Sequence, residues 1–463
     1  MNLFHKFLVY FFFVYTYAIG QIPIDKIIGY GAGNSIINAS DGNLIFCGNR
    51  SGQLLISKID STGSEIWTSL FGLTTGVSPS NSGSNIIKVE ANYLVTGRYD
   101  PGTGGYNKAY AVLIDESGNL IWENSFGNNN SYAKYSCYDN ISKFIYITGS
   151  IQTGTPDIFL VKIDTSGNTI WENSYDFGES EIGESISVVD PNNIYIAGST
   201  TSGSGNNMFN GYLMKIDSAG TLNFQKTFGG NLQDNIYDFK IMPDSGFLIV
   251  GTSNSYSSGN TDAWILRLDY DGDTLWTTTI GTSIIESSYS ISFIDPAKIW
   301  ICGKANSGPP NSDQGWLFEI DSSGSLINTF LFGGTNNEIL SGLSNVNNNL
   351  YAIGKSSINL NDSIYFIKLD SLTLDSRINN SDINFSHTIF PNPSTSLIYL
   401  QVNQPFSICE NDIKIFDLNG KKYSTNIEQD NSTLIIKLPE FQGTYILNFK
   451  ISNINYSYKI IKL

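Results

Sequence analysis

The fold is decided by IDESGNLIW, residues 114–122, because the same nine-residue pattern returns along the chain. It is preceded by IDSTGSEIW (Asp60, Gly63, Trp67) and followed by IDTSGNTIW (Asp164, Gly167, Trp171) and LDYDGDTLW (Asp269, Gly272, Trp276). Degenerate copies, IDSAGTLNF (Asp217, Gly220, Phe224) and IDSSGSLIN (Asp321, Gly324), occupy the intervals, and a seventh begins at Asp370. Successive aspartates are 55, 49, 53, 52, 52 and 49 residues apart. Seven units of about 50 residues are blade-sized.

The motif has a local reason. Asp accepts backbone hydrogen bonds at the start of a tight turn, and Gly takes the left-handed conformation that a short hairpin loop requires. The aromatic four residues on is expected to pack between blades, because large rings dominate core burial. A second marker runs in step: LIFCG, YLVTG, IYITG, IYIAG, FLIVG, IWICG and LYAIG, each ending in glycine, at Gly48, Gly97, Gly149, Gly198, Gly251, Gly303 and Gly354. These runs are apolar at most successive positions, which implies burial on both faces. Each unit then reads as four strands. Strand a, as in SISVVD, turns through Asp190-Pro191-Asn192 into strand b, a longer loop leads to strand c, and the Asp-x-x-Gly turn enters strand d.

After Asp370 the sequence SLTLDSR has neither the Gly nor the Trp, so the seventh unit lacks its outer strand. Ile24 lies four residues before Ile28-Gly29, as Trp276 lies four before Ile280-Gly281. The segment from Ile24 therefore predicts the missing strand, closing the ring and removing an exposed edge. The expected fold is all-β: a seven-bladed propeller over residues 21–372, a linker over 373–388 and a small Ig-like β-sandwich over 389–463.

The chain of 463 residues carries 42 acidic and 26 basic residues, a formal charge of −16, and 2 histidines. His5 lies in an apolar leader and His387 near the C-terminal module, so the repeats hold no imidazole for a Ser-His-Asp triad, a His general base or a His-containing zinc site. Four scattered arginines, Arg50, Arg98, Arg267 and Arg377, in an acidic chain exclude a phosphate-binding footprint, and nucleic acid is not an expected partner. Lys6 precedes an apolar run from Phe7 to Ile19, and Ala18-Ile19-Gly20 supplies small residues for cleavage. Residues 1–20 thus read as a secretory signal peptide, too short for a span of about 20 apolar residues, and no transmembrane segment is expected. Cys47 and Cys302 occupy one place in two repeats, while Cys137 and Cys409 lie elsewhere, so buried free thiols are expected rather than disulfides.

With the Asp-x-x-Gly turns on one face, the variable b–c and d–a loops emerge on the other. The b–c loops are rich in Gly, Ser and Asn, and variable loops on a rigid scaffold are where binding usually lies. Candidate ligand contacts are Tyr99, Asp100, Tyr106, Phe209, Tyr256, Asp262 and Asp313, rings for sugar faces and carboxylates for cations or hydroxyls. Asp157, Asn210 and Asp262 each lie seven residues before the turn Asp, a recurrence that favours a structural role at the entry to strand c. Asp269, Asp271 and Asp273 resemble part of a calcium loop but lack the glycine at position six and the distal Glu of an EF-hand. No other cofactor or metal site is indicated.

From Ile389 the repeats stop. Pro391-Asn392-Pro393, then IKIFDLNGKK with Gly420 and Lys421, then Gly443-x-Tyr445, then a basic-apolar end at Lys459 and Lys462 follow in order. This order resembles the type A C-terminal sorting domain of the type IX secretion system of Bacteroidetes. The resemblance implies a module read by the outer-membrane translocon and sorting machinery, with its cargo released or held at the cell surface. The repeats are also similar to propellers that such domains carry, and more loosely to the tryptophan-docked blades of quinoproteins and outer-membrane assembly lipoproteins. Their Asp-to-Gly spacing is one residue shorter than in those blades. The Asp-x-x-Gly turn likewise departs from the Asp-x-Gly of the sialidase Asp-box.

Three functions fit. The lack of histidine and the sorting module favour a secreted or surface-displayed propeller that binds a glycan or protein ligand without catalysis. A carbohydrate-active enzyme would need two carboxylates roughly 5 to 9.5 Å apart on the variable face or in a central cleft. A quinoprotein-like dehydrogenase would need a quinone cofactor.

Overall fold

The computed structural model describes residues 24–72, 80–102, 105–202, 208–295, 298–308, 312–358 and 361–369, and in the C-terminal part 387–390, 397–402, 413–417, 421–423, 427–430, 433–451 and 454–462. The leader lies outside the described residues.

Seven four-stranded antiparallel sheets follow one another. A lone first strand, β1 (Ile24–Tyr30), precedes blade 1, which is β2 (Ala32–Asn38), β3 (Leu44–Arg50), β4 (Gln53–Ile59) and β5 (Glu65–Phe71). Blade 2 is β6 (Ser82–Val89), β7 (Asn92–Tyr99), β8 (Lys108–Ile114) and β9 (Leu120–Phe126). Blade 3 is β10 (Ser131–Asp139), β11 (Phe144–Gln152), β12 (Pro156–Asp164) and β13 (Thr169–Tyr175). Blade 4 is β14 (Glu181–Asp190), β15 (Asn193–Thr200), β16 (Asn210–Ile216) and β17 (Leu222–Phe228). Blade 5 is β18 (Asp234–Ile241), β19 (Phe247–Ser253), β20 (Asp262–Leu268) and β21 (Thr274–Ile280). Blade 6 is β22 (Glu286–Asp295), β23 (Lys298–Gly308), β24 (Ser312–Ile320) and β25 (Leu326–Phe332). Blade 7 has only β26 (Asn337–Val346), β27 (Asn349–Ile358) and β28 (Asn361–Leu369) from its own stretch, and β1 completes it, antiparallel to β28 with Ile24 opposite Lys368. The closure expected from the spacing of Ile24 is what the sheet shows.

Each Asp-x-x-Gly turn is built alike. In the second blade Asp115 Oδ1 accepts the amides of Ser117 and Asn119 at 2.8 and 2.9 Å, and Gly118 sits at φ +83°. The glycine has a further duty, because a Cβ on Gly118 would lie 2.8 Å from the Trp67 ring of blade 1, and one on Gly167 would lie 2.9 Å from Trp122 of blade 2. The repeated aromatic therefore lies across the turn of the next blade. Trp122 Nε1 also donates to the Thr165 carbonyl there, at 3.0 Å.

The core lies between blades rather than at the axis. One cluster joins Leu94, Ala111 and Leu113 of blade 2 to Ile145, Ile147 and Val161 of blade 3, with Trp122 packed on it. Another joins Phe46 and Leu55 of blade 1 to Ile353 and Phe366 of blade 7, with Ile24 and Ile28 of β1 against it. Strands b and c are buried on both faces, as in β19 and β20, whereas d strands such as β9 are largely exposed. Cys47, Cys137 and Cys302 are free, and burial pushes their thiols up, which keeps them inert. Cys409 lies outside the described residues.

The C-terminal unit forms two more antiparallel sheets. One contains β29 (His387–Phe390), β30 (Leu397–Val402), β34 (Thr433–Lys437) and β33 (Ile427–Asp430), the other β32 (Lys422–Tyr423), β31 (Ile413–Asp417), β35 (Gly443–Ile451) and β36 (Ile454–Lys462). Ile398, Ile415, Leu434, Ile436 and Leu447 are buried there. Tyr445 of the Gly-x-Tyr landmark donates its hydroxyl to the Phe441 carbonyl at 2.8 Å. Among the described residues no helix is long and apolar enough to cross a membrane.

Candidate functional site

The innermost strand of every blade carries a register shift at one and the same place. The shifts fall at Asn34, Ser84, Lys134, Glu184, Tyr237, Tyr289 and Ser341, each lying between the two residues where pairing breaks. A bulge re-aims its side chain and bends the strand. Here all seven bulged residues line one central cavity of about 840 Å³ enclosed by the inner strands.

The strand-b glycines make the bulges possible. A Cβ on Gly48, Gly97, Gly149, Gly198, Gly251, Gly303 or Gly354 would lie 1.8–1.9 Å from the carbonyl oxygen of Ala32, Ser82, Tyr132, Ile182, Asn235, Ser287 or Ile339 respectively, just ahead of each bulge. No side chain fits at that distance. The glycine-ended apolar run also needs a correction: strand b continues past its glycine, to Tyr99 in β7 and Gln152 in β11, because the glycine marks the bulge opposite and not the strand's end.

The cavity wall mixes polar and aromatic groups with aliphatic ones such as Ile36, Ile86, Ile291 and Ile339. Lys134 Nζ lies 3.2 Å from Glu184, and the Tyr237 and Tyr289 rings meet edge-on at 5.2 Å. Deeper along the strands, Lys240 Nζ lies 3.0 Å from both Asp238 and the Tyr135 hydroxyl, so it bridges blade 5 to blade 3. Burial works against the Lys240 charge, but Asp238 and Tyr135 outweigh it and hold the ammonium pKa above its ordinary value. Asp238 also accepts from the Ser185 hydroxyl at 3.1 Å and the Ile291 amide at 3.2 Å, tying blades 4 and 6 to blade 5. Each acid of this wall thus stands beside a lysine.

The seven loop residues expected to touch ligand are spread over four blades, and none lines the cavity. Tyr106 and Tyr256 present exposed rings, 66% and 47% accessible. Tyr256 is steadied by its hydroxyl on the Gly229 carbonyl at 2.8 Å. Tyr99 is half-buried against Tyr110, with ring centres 5.3 Å apart, and Asp100 caps the Gly102 amide at 2.9 Å. Phe209 is half-buried, its carbonyl accepting the Asp234 amide at 2.7 Å. Asp262 is buried and accepts the Ser258 amide at 2.9 Å, while Asp313 pairs with Lys304 at 2.8 Å. Of the possible calcium loop, Asp269 Oδ1 accepts the Asp273 amide at 2.8 Å and Asp273 pairs with Lys226 at 2.6 Å. The bulged residues had no sequence signature of their own, since seven different blades put five residue types there; the repeated glycine opposite was the available signal.

Of the sorting landmarks, Lys421 precedes β32, Gly443 opens β35, and Lys459 and Lys462 lie in β36, while Pro391, Asn392, Pro393 and Gly420 lie outside the described residues. Residues 388–463 match the family described as "Secretion system C-terminal sorting domain". No curated protein matches the chain. Among solved structures, it is similar to a streptogramin B lyase, at 14% identity over 75% of this chain and 96% of that one, with a TM-score of 0.48. A protein of unknown function from Bacteroides caccae matches at 11% identity over 60% and 91%, TM-score 0.38, and the Neurospora crassa Pan2 WD40 domain at 10% over 73% and 89%, TM-score 0.47. The chain is a seven-bladed β-propeller whose residues 388–463 are a type IX secretion sorting domain, implying a Bacteroidetes origin and export to the cell surface or outer membrane.

Proposed function

We propose that the exported propeller is a non-catalytic binding module that takes its ligand, a glycan segment in preference to a protein loop, at the mouth of the central cavity. The observation that carries this is the ring of seven bulges, one register shift per blade, which brings seven side chains of five types to one space. Tyr237 and Tyr289 offer the aromatic faces and Lys134, Glu184, Asn34 and Ser84 the hydrogen-bonding groups that a sugar's alternating apolar and hydroxylated surfaces require. The bulges lie close to where strand a enters from the d–a loop, so the cavity mouth opens among the variable loops, and exposed Tyr106 and Tyr256 can extend the contact outward. The wall's acids are engaged in ion pairs, Glu184 with Lys134 at 3.2 Å and Asp238 with Lys240 at 3.0 Å, so they serve as hydrogen-bonding groups of the wall.

The test is a screen of the purified protein against polysaccharides and outer-surface extracts, scoring retention and product release separately, repeated with Tyr237→Ala/Tyr289→Ala. The double variant is expected to lose at least about tenfold in affinity, the size of one lost stacking contact or more. Unchanged affinity in that variant, or release of cleaved sugar by the parent protein, would overturn the reading.

A further inference from the structure

In the six blades made of consecutive strands, the residue directly after strand d is Gly72, Gly127, Gly229, Gly281 or Gly333 in five, and Asp176 in blade 3. The glycines are confined by what surrounds them. A Cβ on Gly229 would lie 2.4 Å from Asn210 Oδ1 and 2.8 Å from Asp234 Oδ2, one on Gly281 2.5 Å from Asp262 Oδ1, and one on Gly333 2.2 Å from Glu338 Oε2. A side chain at this position therefore points at the polar groups that open strand c and the next strand a. In blade 3 those groups are Asp157 and Glu181, and the added side chain is a third carboxylate.

The three carboxylates do converge, with one oxygen from each lying within 4.8 Å of the others. Asp157 and Glu181 are buried, 3% and 0% accessible, while Asp176 is exposed. Their hydrogen bonds leave oxygens over. Thr153 donates to Asp157 Oδ2, Gly178 N to Asp176 Oδ1 at 2.6 Å, and Thr200 Oγ1 to Glu181 Oε1 at 2.9 Å, with the Phe177 amide 3.4 Å from Oε2. Asp157 Oδ1 is buried without a partner. Burial pushes the Glu181 carboxyl above the usual range, the Thr200 and Phe177 hydrogen bonds oppose that, and the Asp176 and Asp157 charges add to it. A buried, unpaired carboxylate oxygen among like charges is costly unless a cation joins it.

We propose that Asp157, Asp176 and Glu181 form a calcium-binding site between blades 3 and 4 on the variable face. The donors are hard oxygens, which suit calcium or magnesium rather than a thiolate-seeking metal. Three protein carboxylates suit calcium, which takes irregular oxygen sets at about 2.4 Å, better than magnesium, which keeps several waters and demands near-octahedral geometry. Oxygens within 4.8 Å of one another are within reach of one such ion. Asp176 is the open side, where water completes the coordination. The ion would offset two of the trio's three negative charges and fasten the d–a loop of blade 3 to strand c beside it.

Calorimetric titration of the chelator-treated full chain with calcium chloride tests this. One site with a dissociation constant of roughly 10⁻⁴–10⁻³ M, the range of extracellular calcium modules, is expected. Asp176→Gly installs the residue the other blades carry, and it should weaken binding by about tenfold or more with an unchanged circular dichroism spectrum. Should that variant misfold, Asp176→Asn, which keeps the Gly178 hydrogen bond and removes the charge, should give the same loss. Asp271→Asn should leave binding intact. The proposal fails if about 10 mM calcium produces no binding heat, if binding survives both Asp176 variants, or if Asp271→Asn abolishes it.

Discussion

Asp25 and Tyr365 lie 340 positions apart in the chain, and the Tyr365 hydroxyl donates to Asp25 Oδ1 at 2.6 Å. Together they latch β1 into blade 7. Burial raises the Asp25 carboxyl, and the Tyr365 and Gly333 hydrogen bonds pull it back, so the latch is what makes the partly buried charge tolerable. Tyr365→Phe removes the donor and leaves the carboxylate, which should cost about 1–3 kcal/mol in urea unfolding. Removing residues 24–30 should do more, exposing the β28 edge and yielding concentration-dependent association in sedimentation.

Gly149→Ala should be among the most damaging single methyl additions in the chain. Its Cβ would stand 1.8 Å from the Tyr132 carbonyl, so either the bulge at Lys134 or the pairing of β10 with β11 must give way. A loss of about 3 kcal/mol or more is expected, in the class of overpacking with backbone movement. Gly154, in the adjoining loop, is the control: a Cβ there meets nothing within 4 Å, and Gly154→Ala should change stability by no more than about 0.5 kcal/mol. Equal effects at both positions would remove the bulge from the account of these glycines.

These two relationships mark how far the sequence could be read. Blade number, blade order and closure through Ile24 were legible because turns and buried strands impose residue types: Asp115 must accept, Gly118 must take positive φ, and Ile147 or Val161 must be apolar. The cavity wall imposes none. A bulge fixes where a side chain points and leaves its chemistry free, so Lys134, Glu184 and Tyr237 share a position without sharing a pattern. The loops drew attention for their composition, yet Asp262 Oδ2 bonds to Ser258 and Asp313 pairs with Lys304, each inside its own blade. Asp176 was hidden for the opposite reason: it stands five residues after Trp171, where Gly281 stands after Trp276, and a single departure from a repeat makes no pattern of its own.

The Asp-x-x-Gly turns predict the acid limb of stability. The Asn119 side chain and amide hold Asp115 below its ordinary value of 3.8, Asn168 does the same for Asp164, and the Thr221 amide leads for Asp217. With a depressed folded pKa, the unfolded chain binds the proton first. Each turn's contribution is thus fully present above about pH 4 and disappears as pH falls through the folded value. Replacing the three with Asn, which can make the same turn without the charge, should lower the urea midpoint at pH 7 by that contribution and flatten its fall below about pH 4. A parallel acid limb in the triple variant would mean other carboxylates control it.

Removing residues 389–463 separates export from folding. The ring is closed by β1 against β28, and the clusters that join blades 1 to 2, 2 to 3 and 7 to 1 are built from residues 24–369. The truncated protein should therefore keep the thermal midpoint of the full propeller. It should nevertheless stay inside the outer membrane, because the matched sorting domain at 388–463 is the part the secretion machinery reads. Fractionation into periplasm, surface and medium, alongside the melting curve, measures both halves of the claim. Truncated protein in the medium at parental levels would show that the module is dispensable for export, and loss of the cooperative transition would show that the propeller needs it to fold.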